Sequence, residues 1–444
     1  MSRGETATAG GPTVRGTEAR LLLLALVVVL GAYALVVLAQ VGEITRATVV
    51  YSVALASLAL LAHAAIRRFA PLADPVLLPT VFLLNGFGLV LIRRLDFANG
   101  TDLAVAQTTW TVTGVGLFAL TLIAVSSHRQ LTRYGYTAGL VAIALLLLPL
   151  IPGFGDEVRG ARLWVRAGPL SFQPGEIAKL ALVVFLAGYL DRKRALLSVA
   201  TTRVGPLLVP PARHLAPVVV AAIGGIGILV AQRDLGSSLL FFGVFVTMLY
   251  IATGRAAYPT IGFAVFVVGG AIAYTAFDHV QRRFAIWLDP WQDVQGAGYQ
   301  IAQSLFGLGT GGLTGTGLGF GHPDVPAAAT DAIFAVLGEE LGLLGATAIL
   351  IAFLIVVMRG YKIALTAPDE EGSLLAAGFA TIIALQVFVI IGGITRLVPL
   401  TGITLPFVSY GGSSLISNYL LLALLVRLSD TGRRQARVGS GERR

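Results

Sequence analysis

The residues best suited to chemistry are two aspartates four positions apart in WLDPWQDVQGAGYQ (287–300). Asp289 precedes Pro290, and an aspartate followed by proline is a common helix start, in which the carboxylate accepts a backbone N–H. Asp293 has no such explanation and precedes glycines, which let a backbone and a ligand approach closely. Asp293 is therefore either a solvated loop residue or a candidate general base.

Other charged residues fall in or beside apolar segments, where charge is costly and usually meets a cavity or a partner. Glu176 and Lys179 (QPGEIAKL) lie three residues apart and share one helix face. They form either a self-compensating structural pair or part of a polar cavity for an anionic substrate. Asp234 (AQRDLGSS) precedes an apolar segment, where a helix N-cap is the simplest explanation.

Polar residues also mark the last apolar segments. In TDAIFAVLGEELG, Asp331 is expected to cap a helix, and the adjacent Glu339 and Glu340 must point in different directions. The stretch LPFVSYGGSSLISNY (405–419) contains Ser409 and Tyr410 beside paired glycines. Small residues suit a close helix crossing, and a polar lining for a lipid headgroup is the alternative.

The elements that position these residues must lie in a membrane. A chain of 444 residues with 56% hydrophobic and 12% charged residues exposes too much apolar surface for a water-soluble protein. Lipid offers no partner for unpaired backbone groups, so the spanning segments are predicted to be helices. The sequence has no cysteine and its five histidines lack HExxH spacing, so neither a thiolate nor a histidine-ligated metal site is expected.

Twelve segments approach the roughly 20 apolar residues that a bilayer span requires, so the predicted fold is an all-α polytopic integral membrane protein. They are 20–41, 48–66, 76–93, 105–126, 135–151, 175–190, 216–232, 238–253, 259–277, 332–357, 374–396 and 405–427. The remaining chain comprises a disordered cytoplasmic tail (1–19) and a basic cytoplasmic tail (429–444), which flank the membrane domain (20–428) with its large external loop (278–330).

The distribution of positive charge predicts the orientation. With the N-terminus in the cytoplasm, about two-thirds of the 32 Lys and Arg residues lie in cytoplasmic segments, as the positive-inside rule requires. Both termini are therefore expected inside, although Arg93 and Arg94 fall on the external side against this bias. The external loop holds GLGTGGLTGTGLGFG (307–321), which is not a phosphate-binding P-loop because no GK[ST] follows it.

Five motifs in order resemble the shape, elongation, division and sporulation (SEDS) family, which includes RodA, FtsW and SpoVE. They are GARLWVRAGPLSFQPGEIAKL, AQRDLGSS, DPWQDVQGAGYQIAQSLFGLGTGGLTGTGLG, TDAIFAVLGEELG and LPFVSYGGSS, and they cover roughly residues 155–428. Val294, Arg233 and Gly175 depart from the family pattern without removing an ionisable group. Since the family core has ten spans, the resemblance implies an additional N-terminal pair of helices here. GGITRLVPLTG (392–402) is more similar to RodA than to FtsW.

The resemblance implies a glycosyltransferase of the bacterial cytoplasmic membrane. Such enzymes polymerise lipid II, an undecaprenyl-diphosphate-linked disaccharide-pentapeptide, into peptidoglycan during cell elongation or division. The implied partners are lipid II, membrane lipids and a class B penicillin-binding protein, with no nucleic acid. The alternatives are a lipid II flippase, which would share the buried charges and many spans, and a scaffold of the division or elongation machinery.

The resemblance also assigns site residues. Asp293 matches the essential aspartate of the family and is the expected catalytic base. Arginines on external loops are candidates for the diphosphate, because a guanidinium matches phosphate oxygens in a bidentate way. No cofactor is certain, and a divalent cation (Mg²⁺ or Mn²⁺) is considered for the same charge. The expected substrate-binding residues are Glu176, Lys179, Asp234, Trp164, Arg162, Arg282, Arg283, Tyr299, Ser409 and Tyr410.

Overall fold

The computed structural model describes residues 14–158, 161–168, 170–198, 202–204, 207–209, 224, 227–322 and 325–441. The helices are α1 (Val14–Val41), α2 (Arg46–Phe69), α3 (Leu77–Asn99), α4 (Leu103–Ala124), α5 (Arg129–Arg133), α6 (Gly135–Leu147), α7 (Gly175–Ser198), α8 (Leu235–Thr253), α9 (Ala257–Ala276), α10 (Asp278–Leu288), α11 (Tyr299–Thr310), α12 (Ile333–Leu365), α13 (Glu370–Ile394) and α14 (Gly412–Gly441). The strands are β1 (Gly155–Val158), β2 (Ala161–Ala167), β3 (Leu170–Phe172), β4 (Thr202–Val204) and β5 (Leu207–Val209).

Nine helices in the described part of the chain are long and apolar enough to cross a membrane: α1, α2, α3, α4, α8, α9, α12, α13 and α14. The prediction of a helical polytopic membrane protein is therefore confirmed. The similarly long α7 carries Glu176 and Lys179, and α6 is shorter. The predicted span 216–232 lies mostly outside the described residues, so the count of twelve stays a prediction.

The centre of the helix bundle is formed by α3, α13 and α14, whereas α9 is almost entirely exposed on its surface. Close crossings depend on glycines: a Cβ on Gly114 of α4 would lie 2.6 Å from the Tyr419 ring of α14. A Cβ on Gly360 of α12 would lie 2.7 Å from the Cβ of Ala380 on α13. Lipid supplies no hydrophobic driving force between membrane helices, so their association depends on close packing. Small residues at the crossings allow this close approach.

Residues 278–330 contain α10, a 3₁₀ turn (Pro290–Asp293) and α11; the side of the bundle that carries them is called the loop side. The α1–α2 pair packs against α3 and α4. The amide of Gln40, at the end of α1, donates to the carbonyl of Gly319 (2.6 Å), which places this end of α1 on the loop side. At the other end of the pair, buried Glu18 contacts His63 (2.6 Å).

A small antiparallel sheet with the order β1-β2-β3 lies between α6 and α7. Sequence reasoning did not predict it, because its strands are only three to seven residues long and do not belong to a span. Arg166 pairs with Asp156 (2.7 Å) and Arg162 with Glu157 (3.0 Å), so both ion pairs join β2 to β1. At the opposite end of the sequence, residues 429–441 of the predicted tail continue α14 as helix.

Candidate active site

The two aspartates of WLDPWQDVQGAGYQ have the different surroundings that cap chemistry predicts. Asp289 is the N-cap of the 3₁₀ turn, and its carboxylate accepts from the backbone N–H of Trp291 (3.1 Å) and from the amide of Gln292 (3.2 Å). Asp293 is solvent-exposed at the end of the turn. One of its oxygens, Oδ2, accepts from the backbone N–H of Ala297 (2.8 Å). Within the described residues no hydrogen bond involves the other oxygen, Oδ1, so Oδ1 can take a proton from a ligand.

Two glycines make this arrangement possible. The carboxylate of Asp293 lies over Gly296, where a Cβ would be only 2.3 Å from Oδ2 and 2.5 Å from Oδ1. A Cβ on Gly298 would lie 2.2 Å from the carbonyl oxygen of Pro290. The backbone carbonyl of Asp293 also accepts from the N–H groups of Gly296 (3.2 Å) and Gly298 (3.0 Å). The backbone of the QGAG sequence (295–298) therefore packs against the carboxylate and fixes its orientation.

The glycine-rich segment after α11 is closely packed against α12. The α12 backbone kinks at Gly342, which has φ 67° and ψ −171°, and a Cβ there would lie 2.3 Å from the amide nitrogen of Gly315. Glu339 accepts from the backbone N–H (3.0 Å) and the ring (2.8 Å) of His322. Glu340 pairs with Arg94 and accepts from the N–H of Gly319 (2.9 Å). The two glutamates thus point to different partners, as predicted, and fix this segment.

Glu176 and Lys179 form a buried ion pair in which Nζ lies 2.6 Å from Oε2. Lys179 also donates to the amide oxygen of Gln386 on α13 (3.2 Å), and Ser417 of α14 donates to the backbone carbonyl of Glu176 (2.7 Å). These contacts tie α7 to the two central helices. Sequence reasoning missed Gln386, although an uncharged polar residue within an apolar span is the signal that could have found it.

Asp234 is the N-cap of α8, as predicted: its carboxylate accepts from the backbone N–H of Ser237 (2.9 Å). Burial raises the pKa of Asp234, and the hydrogen bond from Ser237 and the charge of Arg283 oppose this rise. Burial lowers the pKa of Arg283, against the opposing charges of Asp234 and Asp331. The negative charge of Glu176 raises the pKa of Asp234 further. The structure therefore brings these charged groups of α7, α8 and α10 into one electrostatic cluster.

The expected cap role of Asp331 is wrong. The N-cap of α12 is Ala332, which makes no side-chain cap hydrogen bond. The carboxylate of Asp331 instead lies 3.6 Å from the position that a Cβ added to Gly402 would take. Its negative charge opposes the lowering of the Arg283 pKa by burial. The chain turns sharply at Ala327 (φ 55°), and the backbone N–H of Ala332 donates back to the carbonyl of Ala327. That turn starts α12 in place of an aspartate cap.

A cationic cleft of about 820 Å³ lies beside this cluster on the loop side. Its ionisable lining consists of three arginines (Arg233, Arg282 and Arg283), His279 and one acidic residue, Asp278. Burial lowers the pKa of His279, and the neighbouring Arg283 and Arg233 lower it further. The cleft is thus an environment that disfavours added positive charge and favours an anion. Sequence reasoning identified Arg282 and Arg283 but missed the contributions of Arg233 and His279.

The segment between α13 and α14 organises the surroundings of the cleft. Arg283 donates to the backbone carbonyls of Leu400 (3.2 Å) and Thr401 (3.0 Å). The hydroxyl of Ser409 donates to the carbonyl of Thr330 (2.6 Å) and accepts from the N–H of Leu405 (2.9 Å). Tyr410 is half-buried, and its backbone N–H donates to Ala329 (2.7 Å). Ser409 therefore uses its hydroxyl to hold this segment against the chain that precedes α12.

The structure does not bring all predicted site residues into contact. No hydrogen bond or ion pair joins Asp293 to Glu176, Lys179 or Asp234, all of which are described. Trp164 is half-buried in β2 and Tyr299 is half-buried at the start of α11. Arg162 is exposed and paired with Glu157. A ligand that used all these groups would have to extend along the loop side.

Comparison with known proteins agrees with this fold. Residues 75–434 match the family described as Cell cycle protein (FtsW/RodA/SpoVE). "Peptidoglycan glycosyltransferase RodA" of Mycobacterium tuberculosis is 45% identical over 434 residues, 96% of this chain and 92% of that protein. "Stage V sporulation protein E" of Bacillus subtilis is 34% identical over 375 residues, 81% of this chain and 98% of that protein. A solved structure described as "Structural coordination of polymerization and crosslinking by a peptidoglycan synthase complex" has 27% identity and a TM-score of 0.56, covering 85% of this chain and 96% of that one.

Fold and site together define a polytopic α-helical membrane protein with an exposed carboxylate and a cationic cleft on its loop side. The chain belongs to the FtsW/RodA/SpoVE family. The family match begins after α2, so α1 and α2 lie outside it. The alignment with the mycobacterial protein covers 96% of the chain and therefore includes the pair.

Proposed function

We propose that this protein is a peptidoglycan glycosyltransferase that polymerises lipid II and that Asp293 is its general base. The main support for this proposal is the Asp293 carboxylate. It is exposed on the loop side, and its Oδ2 is held by a hydrogen bond from the backbone N–H of Ala297 (2.8 Å). The high identity to proteins named peptidoglycan glycosyltransferase supports the activity. A fixed carboxylate with one available oxygen is suited to remove a proton from a sugar hydroxyl.

The reaction joins the acceptor hydroxyl to the anomeric carbon of the donor sugar and breaks the bond from that carbon to the diphosphate. In our proposal Oδ1 of Asp293 takes the hydroxyl proton as the new bond forms. Negative charge then develops on the departing diphosphate, and Arg282 and Arg283 of the cationic cleft stabilise it. Because Arg283 is held by the carbonyls of Leu400 and Thr401, its guanidinium is oriented before the substrate binds.

The buried pair has a positioning role in this proposal. Lys179 is neutralised by Glu176 and hydrogen-bonded to Gln386, so its contribution is to fix α7 against α13. Asp234 caps the start of α8. Its negative charge also attracts the guanidinium of Arg283. These residues set the geometry of the cleft, and the substrate spans the distance between the cleft and Asp293.

A divalent cation on the diphosphate is part of the same proposal. The described residues contain no group of three or more His, Asp or Glu side chains that could hold a metal. Such a group is not needed, because Mg²⁺ commonly binds through substrate phosphates, water and one or two carboxylates. Asp278, at the cleft, is the carboxylate placed to contribute.

We further propose that the protein lies in the bacterial cytoplasmic membrane with both termini in the cytoplasm. The partner is a crosslinking class B penicillin-binding protein, which the similarity to a chain of a peptidoglycan synthase complex supports. The orientation can be measured directly because the chain has no cysteine. A single cysteine at exposed Gly309 should react with an impermeant maleimide on intact spheroplasts, and labelling only after lysis would contradict the orientation.

The test of the catalytic proposal compares two asparagine variants of one turn. Asp293→Asn keeps an oxygen for the Ala297 N–H but removes the base, and we expect polymerisation of lipid II to fall by about 10²- to 10⁴-fold. Asp289→Asn is the matched control, because asparagine caps a turn as well as aspartate does. Purified variants, each with the partner transpeptidase, are assayed by gel for glycan polymer. Normal polymer from Asp293→Asn would refute the assignment.

A further inference from the structure

An open crevice lies between the N-terminal pair and the family core. It is formed by α1, α2, α3 and α4, and its cavity volume is small, about 30 Å³. The crevice is therefore a shallow site, and a lipid could occupy it only from outside the helix bundle. We call this site the N-terminal crevice and define it by Tyr33, Tyr51, Ser52, Arg93 and Thr108 at its polar end.

The N-terminal crevice is polar at the loop side and apolar towards the membrane centre. Arg93 lies six residues before the end of α3 at Asn99, about 9 Å along the helix axis at 1.5 Å per residue. Val29 and Leu58 line the deeper part, about 18 Å from the loop-side ends of α1 and α2 by the same rise. The crevice thus spans one leaflet of a hydrocarbon core about 30 Å thick.

Arg93 is the charged residue of the crevice. It stacks on Phe97, with its guanidinium carbon 4.3 Å from the ring centroid, and lies 6.0 Å from the ring of Tyr51. Its positive charge also acts on the hydroxyl of Tyr33. Its Nε is buried and has no hydrogen-bond partner in the described part of the chain. The contacts orient the guanidinium but leave its charge without a carboxylate.

The neighbouring arginine on this helix differs in having a carboxylate partner. Arg94 is 3% exposed and pairs with Glu340. The nearby carboxylate of Asp96 is already occupied: it accepts from the N–H groups of Leu103 (2.9 Å) and Ala104 (2.8 Å). No ion pair of Arg93 occurs among the described residues. An anion would stabilise this partly buried charge, and the surrounding leaflet can supply one.

We propose that the N-terminal crevice binds an anionic phospholipid of the loop-side leaflet. The phosphate would contact the guanidinium of Arg93, with the hydroxyls of Ser52 and Thr108 nearby. The acyl chains would lie outside the crevice, because Val29, Leu55 and Leu58 are already buried by protein. Arginine is suited to this contact because its planar donors match phosphate oxygens. The site is separate from the cationic cleft and independent of the proposed glycosyl transfer, because it uses none of those residues.

The proposal explains a departure from the charge rule. Arg93 and Arg94 oppose the positive-inside bias, yet neither is needed as a topology signal. Arg94 holds the glycine-rich segment through Glu340, and Arg93 faces the crevice on another side of the same helix. The helix α3 thus lies between the lipid site and the segment that precedes α12.

The test is a lipid titration of the full purified chain in detergent, followed by native mass spectrometry. Phosphatidylglycerol and phosphatidylcholine with identical acyl chains are the probes. We expect the wild type to prefer phosphatidylglycerol and Arg93→Gln to bind it about tenfold more weakly, the loss of roughly one charged hydrogen bond. Arg46→Gln is the matched control, because Arg46 is an exposed arginine at the loop-side start of α2.

A second variant tests the crevice without removing its charge. Ser52→Phe fills the polar end and should weaken the binding of both phospholipids, even if Arg93→Gln fails to fold. Unchanged phosphatidylglycerol binding in Ser52→Phe would overturn the proposal, as would an equal loss in Arg46→Gln and Arg93→Gln. Displacement of phosphatidylglycerol by undecaprenyl phosphate at equal concentration would overturn the assignment to a bilayer phospholipid.

Discussion

Gly296 provides a precise test of how the Asp293 carboxylate is held. In Gly296→Ala the added Cβ would lie 2.3 Å from Oδ2 and 2.5 Å from Oδ1, so the carboxylate must leave its position. Backbone strain does not complicate the result, because Gly296 is not among the glycines with positive φ. The change is therefore expected to break the hydrogen bond from Ala297 while leaving the ionisable group present.

The size of the effect follows from that hydrogen bond. A hydrogen bond to a charged group contributes about 1.5–3 kcal/mol. If all of it is lost from the productive orientation of the base, the rate falls roughly 10- to 160-fold at 1.36 kcal/mol per factor of ten. The loss should fall on kcat rather than on KM, because the carboxylate acts in the transition state and does not hold the ground-state substrate.

The assay is the initial rate of lipid II polymerisation by the purified protein with its partner. Gly309→Ala is the matched control, since a Cβ there meets nothing within 4 Å and Gly309 lies in α11, which follows the same turn. Thermal unfolding of both variants in detergent shows whether the fold is retained. A folded Gly296→Ala protein with the wild-type rate would refute the idea that this turn positions the base.

Three further predictions concern the buried pair, the cleft and the cation. Lys179→Met leaves Glu176 as a buried unpaired charge and should destabilise the protein by about 3–5 kcal/mol. Thermal unfolding should show a smaller loss of stability in the double variant Glu176→Gln/Lys179→Met. An equal loss in both variants would contradict the pairing. Because the pKa of His279 is lowered below its usual 6.5, the ring is neutral at neutral pH, and protonation as the pH falls below 6.5 adds charge to the cleft. Affinity for undecaprenyl diphosphate should therefore rise with acidity in the wild type and stay flatter in His279→Gln, and parallel profiles would exclude His279 from the site. Chelation of divalent cations should reduce polymerisation and added Mg²⁺ should restore it, whereas full activity in chelator would remove the cation from the proposal.

The parts of the site that were predictable are those governed by local backbone chemistry. Asp289 and Asp234 are caps, as Asp-Pro and the residue before an apolar segment indicate. Asp293 stood out because no local rule explained it. Asp331 was wrongly predicted as a cap because the chain before α12 turns back on itself at Ala327, a tertiary arrangement that no local pattern of residues signals.

Long-range partners were beyond sequence reasoning. Nothing near Arg94 in the sequence indicates Glu340, and nothing near Lys179 indicates Gln386, because helix packing alone brings these pairs together. The same holds for Arg233 and His279 in the cationic cleft. The apolar spans were predictable from length and hydropathy. The β1–β3 sheet was not, since strands of three to seven residues outside the spans resemble a loop.

The most direct measurement is the initial rate of glycan formation by Asp293→Asn at saturating lipid II, with lipid II binding measured in the same preparation. If Asp293 is the base, binding remains at the wild-type level while the rate falls by about 10²- to 10⁴-fold. A wild-type rate with intact binding would contradict the central claim and assign proton removal to another group.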